Sequence, residues 1–150
     1  MAPDFNIIEH TGPPDETVRN DIFDMYRTIF HSEPNEEAVE RLTYSRDLLT
    51  LIAYENDVPV AFKVGYRQDP DTFYSWLGGV LPEFRRHGLA YQLMLRQHNW
   101  ARSMGYRFLQ TKTLNRWREM LILNLRNGFS ITGAYMGKDG RLRLILEKEL

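Results

Sequence analysis

The chain has 150 residues, 43% hydrophobic and 13% aromatic, a length and composition typical of one globular domain with a buried core. It contains no cysteine, which excludes disulfides, thiolate metal sites and a cysteine nucleophile. The net charge is −1, but the first 71 residues hold 15 acidic and 6 basic side chains, whereas the remainder holds 5 acidic and 13 basic ones. This asymmetry indicates a small anionic partner for the second half.

Several other classes of protein are disfavoured by the same sequence. No apolar run approaches the ~20 residues of a membrane span, and the first residues lack the basic start and apolar core of a signal peptide. The four histidines do not fall at metal-ligand spacing. The basic residues are not interleaved with a stacking motif for nucleic acid. We therefore predict a cytoplasmic protein without a metal, a nucleic-acid partner or a membrane partner.

The first half of the chain changes from helical to alternating periodicity. Apolar residues recur at helical spacing after a short first strand, and alternation begins near Leu48. The predicted elements are a strand over Phe5–His10, a helix carrying Val18, Ile22, Tyr26 and Ile29, a short helix from Pro34 to about Arg46, and strands over Leu48–Tyr54, Val58–Tyr66 and Thr72–Val80. A tight turn is predicted at Asn56-Asp57.

The second half alternates helix and strand before a final hairpin. The predicted elements are a helix to about Met104, a strand over Tyr106–Thr111, a helix over Asn115–Arg126 ended by Gly128, and a hairpin of Phe129–Tyr135 and Arg141–Glu147 across "GKDG". The resulting order, β-α-α-β-β-β-α-β-α-β-β, predicts a single α/β domain over residues 1–150 with a mixed sheet. The strand–helix–strand unit in this half predicts one parallel crossover.

A concentration of positive charge marks the start of the third predicted helix. The sequence there is "RRHGLA", Arg85–Ala90, immediately after a predicted strand. A helix N-terminus leaves N–H groups unpaired, and Gly88 allows the backbone to bend towards a ligand, so the turn is suited to bind phosphate. Arg85 and Arg86 can add charge-assisted hydrogen bonds. The alternative interpretation is a solvated turn before an ordinary helix.

Two motifs resemble a known family. The pattern V-x-P-x-x-R-x-x-G-x-A at Val80–Ala90 follows a strand and opens a helix, and "NRWREMLILNLRNGF" follows at 115–129. Together with the order of elements, they resemble the GCN5-related N-acetyltransferases, the GNAT superfamily. The resemblance covers nearly the whole chain and implies the GNAT fold, a mostly antiparallel mixed sheet of about seven strands with four helices.

The resemblance implies that acetyl-CoA is the co-substrate. The pyrophosphate would lie on backbone amides of the turn, and the pantetheine arm would follow the end of the preceding strand in the groove where two parallel strands part. The resemblance assigns Gly79, Val80, Arg85, Arg86, His87, Gly88, Leu89 and Ala90 to CoA. We add Asn115 and Asn124 as candidate CoA contacts.

Two asparagines in this set have alternative interpretations. The family often places a tyrosine four residues before "GF", as the acid that protonates the leaving thiolate, and Asn124 stands there in this chain. Asn124 falls on the inward stripe of its helix, where it serves as a contact to the CoA arm or as a structural asparagine. Asn115 is either a CoA contact or only the N-cap of the helix.

Residues for acid–base chemistry are harder to identify. Tyr135 is our first candidate for the acid and Glu33 for the base, with Asp71 as another base, because the strand Thr72–Val80 has no carboxylate. Without cysteine, no thiol can carry an acyl-enzyme, so direct transfer to an amine in a ternary complex is expected. We expect the acceptor to be a small-molecule or peptide amine. The acidic first two helices, which border the acceptor cleft in the family, favour a cationic one.

Two properties of the whole molecule, its catalytic activity and its oligomeric state, have alternative interpretations. The missing tyrosine and strand carboxylate also fit a catalytically inactive acyl-CoA-binding regulatory module of the same fold. The C-terminal strand is a candidate for pairing two subunits, which makes a homodimer an alternative to a monomer.

Overall fold

Local signals set the boundaries of the elements in the computed structural model, which describes residues 4–150. Asp15 and Asn35 cap the first two helices, each accepting a hydrogen bond of 2.9 Å from the backbone N–H three residues later. Asn56 and Asp57 both have positive φ, as the predicted tight turn requires. The elements are β1 Asn6–Thr11, α1 Glu16–Phe30, α2 Glu36–Tyr44, β2 Leu49–Glu55, β3 Val58–Arg67, β4 Thr72–Val80, a 3-10 turn Pro82–Phe84, α3 Leu89–Ser103, β5 Phe108–Leu114, α4 Arg118–Arg126, β6 Ser130–Met136 and β7 Leu142–Glu149.

The seven strands form one sheet in the order β1-β2-β3-β4-β5-β7-β6. All neighbours are antiparallel except β4 and β5, which α3 joins as a parallel crossover. The element order, the strand number and the mixed sheet therefore confirm the predicted fold class.

Helices cover both faces of the sheet. On one face, Ile22 and Leu42 of α1 and α2 pack with Phe62 and Val64 of β3. On the other, α3 and α4 pack with residues such as Phe73 and Leu109 of the central strands. We call these the α1/α2 face and the α3/α4 face. No helix in residues 4–150 is long and apolar enough to cross a membrane.

The boundary between β5 and α4 differs from the prediction. The strand continues to Leu114 because β7 pairs beside it, and the Asn115 N–H then donates to the Leu142 carbonyl at 3.1 Å. The helix begins only at Arg118, with Trp117 at the cap position and no side-chain cap. The predicted start at Asn115, and its alternative role as an N-cap, are therefore wrong. Likewise, α2 ends at Tyr44 and not near Arg46.

Candidate functional site

The parallel strands β4 and β5 separate in the middle of the sheet. Their pairing ends at Ser75 and Thr111, although β4 continues to Val80 and β5 to Leu114. The Thr111 hydroxyl donates to the Ser75 carbonyl at 2.9 Å, at the point of separation. The result is a groove between the two strands, which confirms the predicted parting of these strands.

The open edge of β4 presents backbone groups to this groove. The N–H of Leu81 donates to Val60 of β3 at 2.9 Å, so alternation along the strand turns the polar groups of Val80 and Gly78 towards the groove. The Val80 carbonyl accepts a 3.0 Å hydrogen bond from Arg85 Nε. The N–H groups of Gly78 and Val80 are the donors that the open edge offers to a ligand.

Gly78 and Gly79 lie on this edge, and packing against different neighbours explains why each lacks a side chain. A Cβ on Gly79 would lie 2.8 Å from Ile29 Cδ1, so the missing side chain lets α1 pack against the strand. A Cβ on Gly78 would lie 3.1 Å from the Phe62 carbonyl oxygen and 3.5 Å from Lys63 Cγ. At Gly79, therefore, the missing side chain makes room for helix α1 and not for a ligand in the groove.

The turn before α3 leaves a run of backbone N–H groups without acceptors. Arg86 and Gly88 have left-handed conformations, with φ of 68° and 76°. Within the described chain, the N–H groups of residues 86 to 90 donate to no acceptor, and the first helical bond of this end joins Gln92 to Gly88. A Cβ on Gly88 would have no neighbour within 4 Å, so the turn is open to a ligand. Convergent free amides at a helix N-terminus form an anion site.

The side chains of this turn differ in how far they are free to contact a ligand. Arg85 is hydrogen-bonded to Val80, as described above, and Leu89 is buried in the core. The His87 ring packs against Phe5, with 5.9 Å between ring centroids. Arg86 and Gly88 are exposed. Leu89 can therefore contribute only its backbone, whereas Arg86 keeps its charge in solvent.

Asn124 lies on the inner side of α4, on the α3/α4 face. It is only 4% exposed, and its backbone carbonyl accepts from Asn127 and Phe129, which close the end of the helix. The inward orientation predicted for Asn124 is confirmed. Asn115 is half-buried in the turn after β5 and has no capping role.

A cleft of about 220 Å³ lies on the α1/α2 face, beside the separated strands. It combines aromatic rings with cationic groups drawn from α2, four strands and the segment before α4. The lining residues are Arg41, Tyr74, Trp76, Lys112, Thr113, Leu114, Trp117, Tyr135 and Arg143. Trp76 of β4 and Lys112 of β5 line the cleft, so it adjoins the groove where these two strands have separated.

Two tyrosines bring hydroxyl groups to the cleft. Tyr74 is buried, and this burial raises its pKa to about 12, so it keeps its proton at any physiological pH. Tyr135 lies on β6, with its ring centroid 5.5 Å from Lys112 Nζ. Tyr135 thus lines the cleft as a candidate acid should, and Tyr74 is a second candidate.

The predicted carboxylate bases lie outside the cleft lining. Glu33 is exposed and pairs with Arg27, with its Oε2 2.8 Å from Arg27 Nε. Asp71 precedes β4 at the end of the strand remote from the groove, where its carbonyl accepts from Arg107 and Phe108. On the α1/α2 face, β4 presents Tyr74 and Trp76 to the cleft and no carboxylate.

Three polar side chains, two from α3 and one from β3, lie on the α3/α4 face of the sheet. Gln97 is fully buried and pairs neither its amide nitrogen nor its oxygen within the described chain. His98 is nearly as buried, and this burial, with nearby Lys148, lowers its pKa to about 3, so it is neutral near pH 7. Lys63, partly buried, makes no hydrogen bond or ion pair among residues 4–150, and burial lowers its pKa to about 8. Sequence patterns did not single out Lys63.

Comparison with known proteins identifies the family. Residues 17–118 match the model of the Acetyltransferase (GNAT) family, which covers more than half of the chain. None of the curated proteins matches the sequence. Among residues 4–150, no group of three or more histidine and acidic side chains is arranged to hold a metal ion.

Solved structures share the fold across almost the entire chain at low sequence identity. The ribosomal-protein-S18-alanine N-acetyltransferase from Escherichia coli is 16% identical with a TM-score of 0.79, over 95% of this chain and 94% of that one. Ard1 from Thermoplasma volcanium is 16% identical with a TM-score of 0.80, over 97% of each chain. A GNAT family acetyltransferase from Elizabethkingia anophelis, solved with acetyl-CoA bound, is 21% identical with a TM-score of 0.72, over 97% of this chain and 98% of that one. The separated parallel strands, the free amides before α3 and the match to the family model agree, and the chain belongs to the GNAT acetyltransferase family.

Proposed function

We propose that this protein is an acetyl-CoA-dependent N-acetyltransferase that transfers the acetyl group directly to an amine acceptor. The observation that carries the proposal is the run of free N–H groups over residues 86 to 90, at the mouth of the groove between β4 and β5. Acetyl-CoA suits this pair of features because it joins a polyanionic pyrophosphate to an extended arm. The family relationship supports the same co-substrate.

The residues that would hold acetyl-CoA follow from this arrangement. The amides of Arg86 to Ala90 would bind the pyrophosphate, with the Arg86 side chain adding charge from solvent. The N–H groups of Gly78 and Val80 would pair with the extended arm as a neighbouring strand does. Asn124 and Asn115 would contact the arm from the side of α4 and of the turn after β5.

Acetyl-CoA supplies an activated thioester that an amine can attack. The Gly78 N–H, aimed into the groove, would stabilise negative charge on the carbonyl oxygen as the amine adds. The amine must lose a proton and the thiolate leaving group must gain one. Because no carboxylate lines the cleft, the amine proton would leave through water, while Tyr135 or Tyr74 would donate a proton or a hydrogen bond to the thiolate.

An inactive acyl-CoA-binding module is the second candidate. Asn124 at the usual tyrosine position and the lack of a carboxylate on the cleft side of β4 favour it. The two candidates differ in turnover, so the test is a broad panel of primary amines with acetyl-CoA, followed by release of free thiol. The enzyme hypothesis predicts thiol release that depends on an amine, with the acetylated amine detected by mass. Acetyl-CoA binding without turnover for any amine would support the module.

A further inference from the structure

We infer that the acceptor is a small primary amine that also carries a carboxylate, as an amino acid does. This inference rests on the proposed function, because it assigns the acceptor to the cleft on the α1/α2 face. It departs from the cationic acceptor that the acidic first half of the sequence favoured.

The charged side chains that line the cleft are all basic. Arg41 enters from α2, Lys112 from β5 and Arg143 from β7, and the lining contains neither aspartate nor glutamate. The acidic residues of α1 and α2 do not reach the lining. A cationic acceptor would therefore find no carboxylate in the lining, whereas an anionic group would find N–H donors there.

Two of these cations already have carboxylate partners. Arg41 pairs with Glu37 and stacks 5.2 Å from the centre of the Trp76 ring. Arg143 forms two hydrogen bonds to Asp139, of 2.9 and 3.0 Å. These pairs hold both guanidinium groups in place, and each guanidinium retains further N–H donors.

Lys112 is the cation whose charge is not balanced. It makes no ion pair within residues 4–150, and its Nζ lies 5.8 Å from the Tyr74 ring centre and 5.5 Å from that of Tyr135. The acid on the same face of β7, Glu147, is in register with Gln110 and makes no ion pair with Lys112. Lys112 is thus an ammonium group between two aromatic rings, available to a carboxylate that enters the cleft.

Shape and surroundings limit the rest of the acceptor. The cleft of about 220 Å³ is smaller than the ~300–1,000 Å³ typical of drug-sized pockets. Its walls include the rings of Tyr74, Trp76 and Trp117. If the carboxylate of the acceptor paired with Lys112, its apolar side chain could contact these rings and its amine could lie in the groove. An aromatic or aliphatic amino acid has this combination of groups.

The test compares amines that differ only in the carboxylate. Phenylalanine and phenylalaninamide form one pair, leucine and leucinamide a second, and 4-aminobutyrate and 4-aminobutanamide a third. The kcat/KM of each is divided by its fraction of free amine at the assay pH, because the acids and amides differ in amine basicity. We expect the acid of at least one pair to be preferred by about ten- to a hundredfold, the range of a hydrogen bond between charged groups.

Variants assign that preference to one side chain. Lys112→Met keeps the length and removes the charge, and it should abolish most of the preference for the acid. Lys112→Glu should reverse it in favour of the amide. Lys138→Met, an exposed lysine in the β6–β7 turn outside the cleft lining, is the matched control and should retain the wild-type preference. Amides used as well as acids by the wild type, or a preference unchanged in Lys112→Met, would overturn the inference.

Failure of the proposed function can be told apart from failure of this inference. If no amine is acetylated, the proposed function is wrong, and binding decides the inference alone. The melting temperature is then measured with each acid and its amide, in the presence of acetyl-CoA. A rise with the acid that Lys112→Met removes supports a carboxylate-binding cleft, and equal effects of acid and amide overturn it.

Discussion

The Thr111 hydroxyl donates a 2.9 Å hydrogen bond to the Ser75 carbonyl, at the last register pair before β4 and β5 separate. A side chain thus takes over pairing where the backbone ladder stops. The groove that we assign to acetyl-CoA begins directly beyond this bond.

Thr111→Val should loosen this point while conserving volume. We expect the free energy of unfolding to fall by about 0.5–1.5 kcal/mol, the usual contribution of one hydrogen bond, and the Kd for acetyl-CoA to rise. Thr132→Val is the control, because its hydroxyl lies 3.4 Å from the Ile145 carbonyl on an exposed strand. Denaturant unfolding and calorimetric titration measure the two effects. Equal behaviour of both variants would show that the Thr111 bond does not help to define the groove.

Asn124→Ala tests the residue that stands where the family often has tyrosine. An amide cannot donate a titrating proton to a thiolate, so we expect the change to weaken acetyl-CoA binding by about tenfold or less and to leave turnover at saturating acetyl-CoA nearly unchanged. Asn127→Ala, at the end of the same helix, controls for effects on α4, since Asn127 Nδ2 bonds to the Leu123 carbonyl. A hundredfold fall in turnover at saturation, with affinity intact, would place Asn124 in the chemical step.

Lys63 should make stability depend on pH above neutrality. Burial lowers its pKa from 10.5 to about 8, so between these values the unfolded chain holds the proton that the folded chain has lost. The free energy of unfolding should therefore rise with pH from 8 to 10.5 and be lowest, as far as Lys63 is concerned, below pH 8. We expect about 2 kcal/mol, less than full burial would give at ~1.4 kcal/mol per pH unit, because the side chain keeps partial contact with solvent.

The comparison that isolates this effect is Lys63→Met, measured by denaturant unfolding at several pH values. The variant should be more stable than the wild type at pH 7 and should lack the rise attributable to Lys63. Lys138→Met, in an exposed turn, should follow the wild type. Parallel pH curves for the wild type and Lys63→Met would show that Lys63 does not cause the rise in stability.

The order of elements could be predicted from sequence because each boundary carries a local signal. The caps Asp15 and Asn35 and the turn at Asn56-Asp57 are of this kind. The start of α4 was misplaced because Asn115 resembles a cap, whereas a partner strand some thirty residues later extends β5 past Thr111. Local patterns contain no information about such pairing.

The proposed CoA-binding turn and the proposed acceptor cleft differ in how far apart their residues lie along the chain. The candidate anion site is contiguous, so Arg85–Ala90 could be found as a motif. The cleft draws Arg41, Lys112 and Arg143 from three separate elements, and no spacing in the chain relates them. The sign of charge over half the sequence was therefore a poor guide to the charge in the cleft.

Titration calorimetry of Gly88→Glu decides whether the turn before α3 binds the pyrophosphate of acetyl-CoA, as we propose. Glutamate there would place bulk and negative charge among the free amides of residues 86 to 90. Gly105→Glu is the matched control, since Gly105 also has positive φ and open surroundings but follows the other end of α3. We predict that the wild type and Gly105→Glu bind acetyl-CoA and that folded Gly88→Glu, checked by circular dichroism, does not. Unchanged affinity in folded Gly88→Glu would show that the pyrophosphate does not bind at this turn.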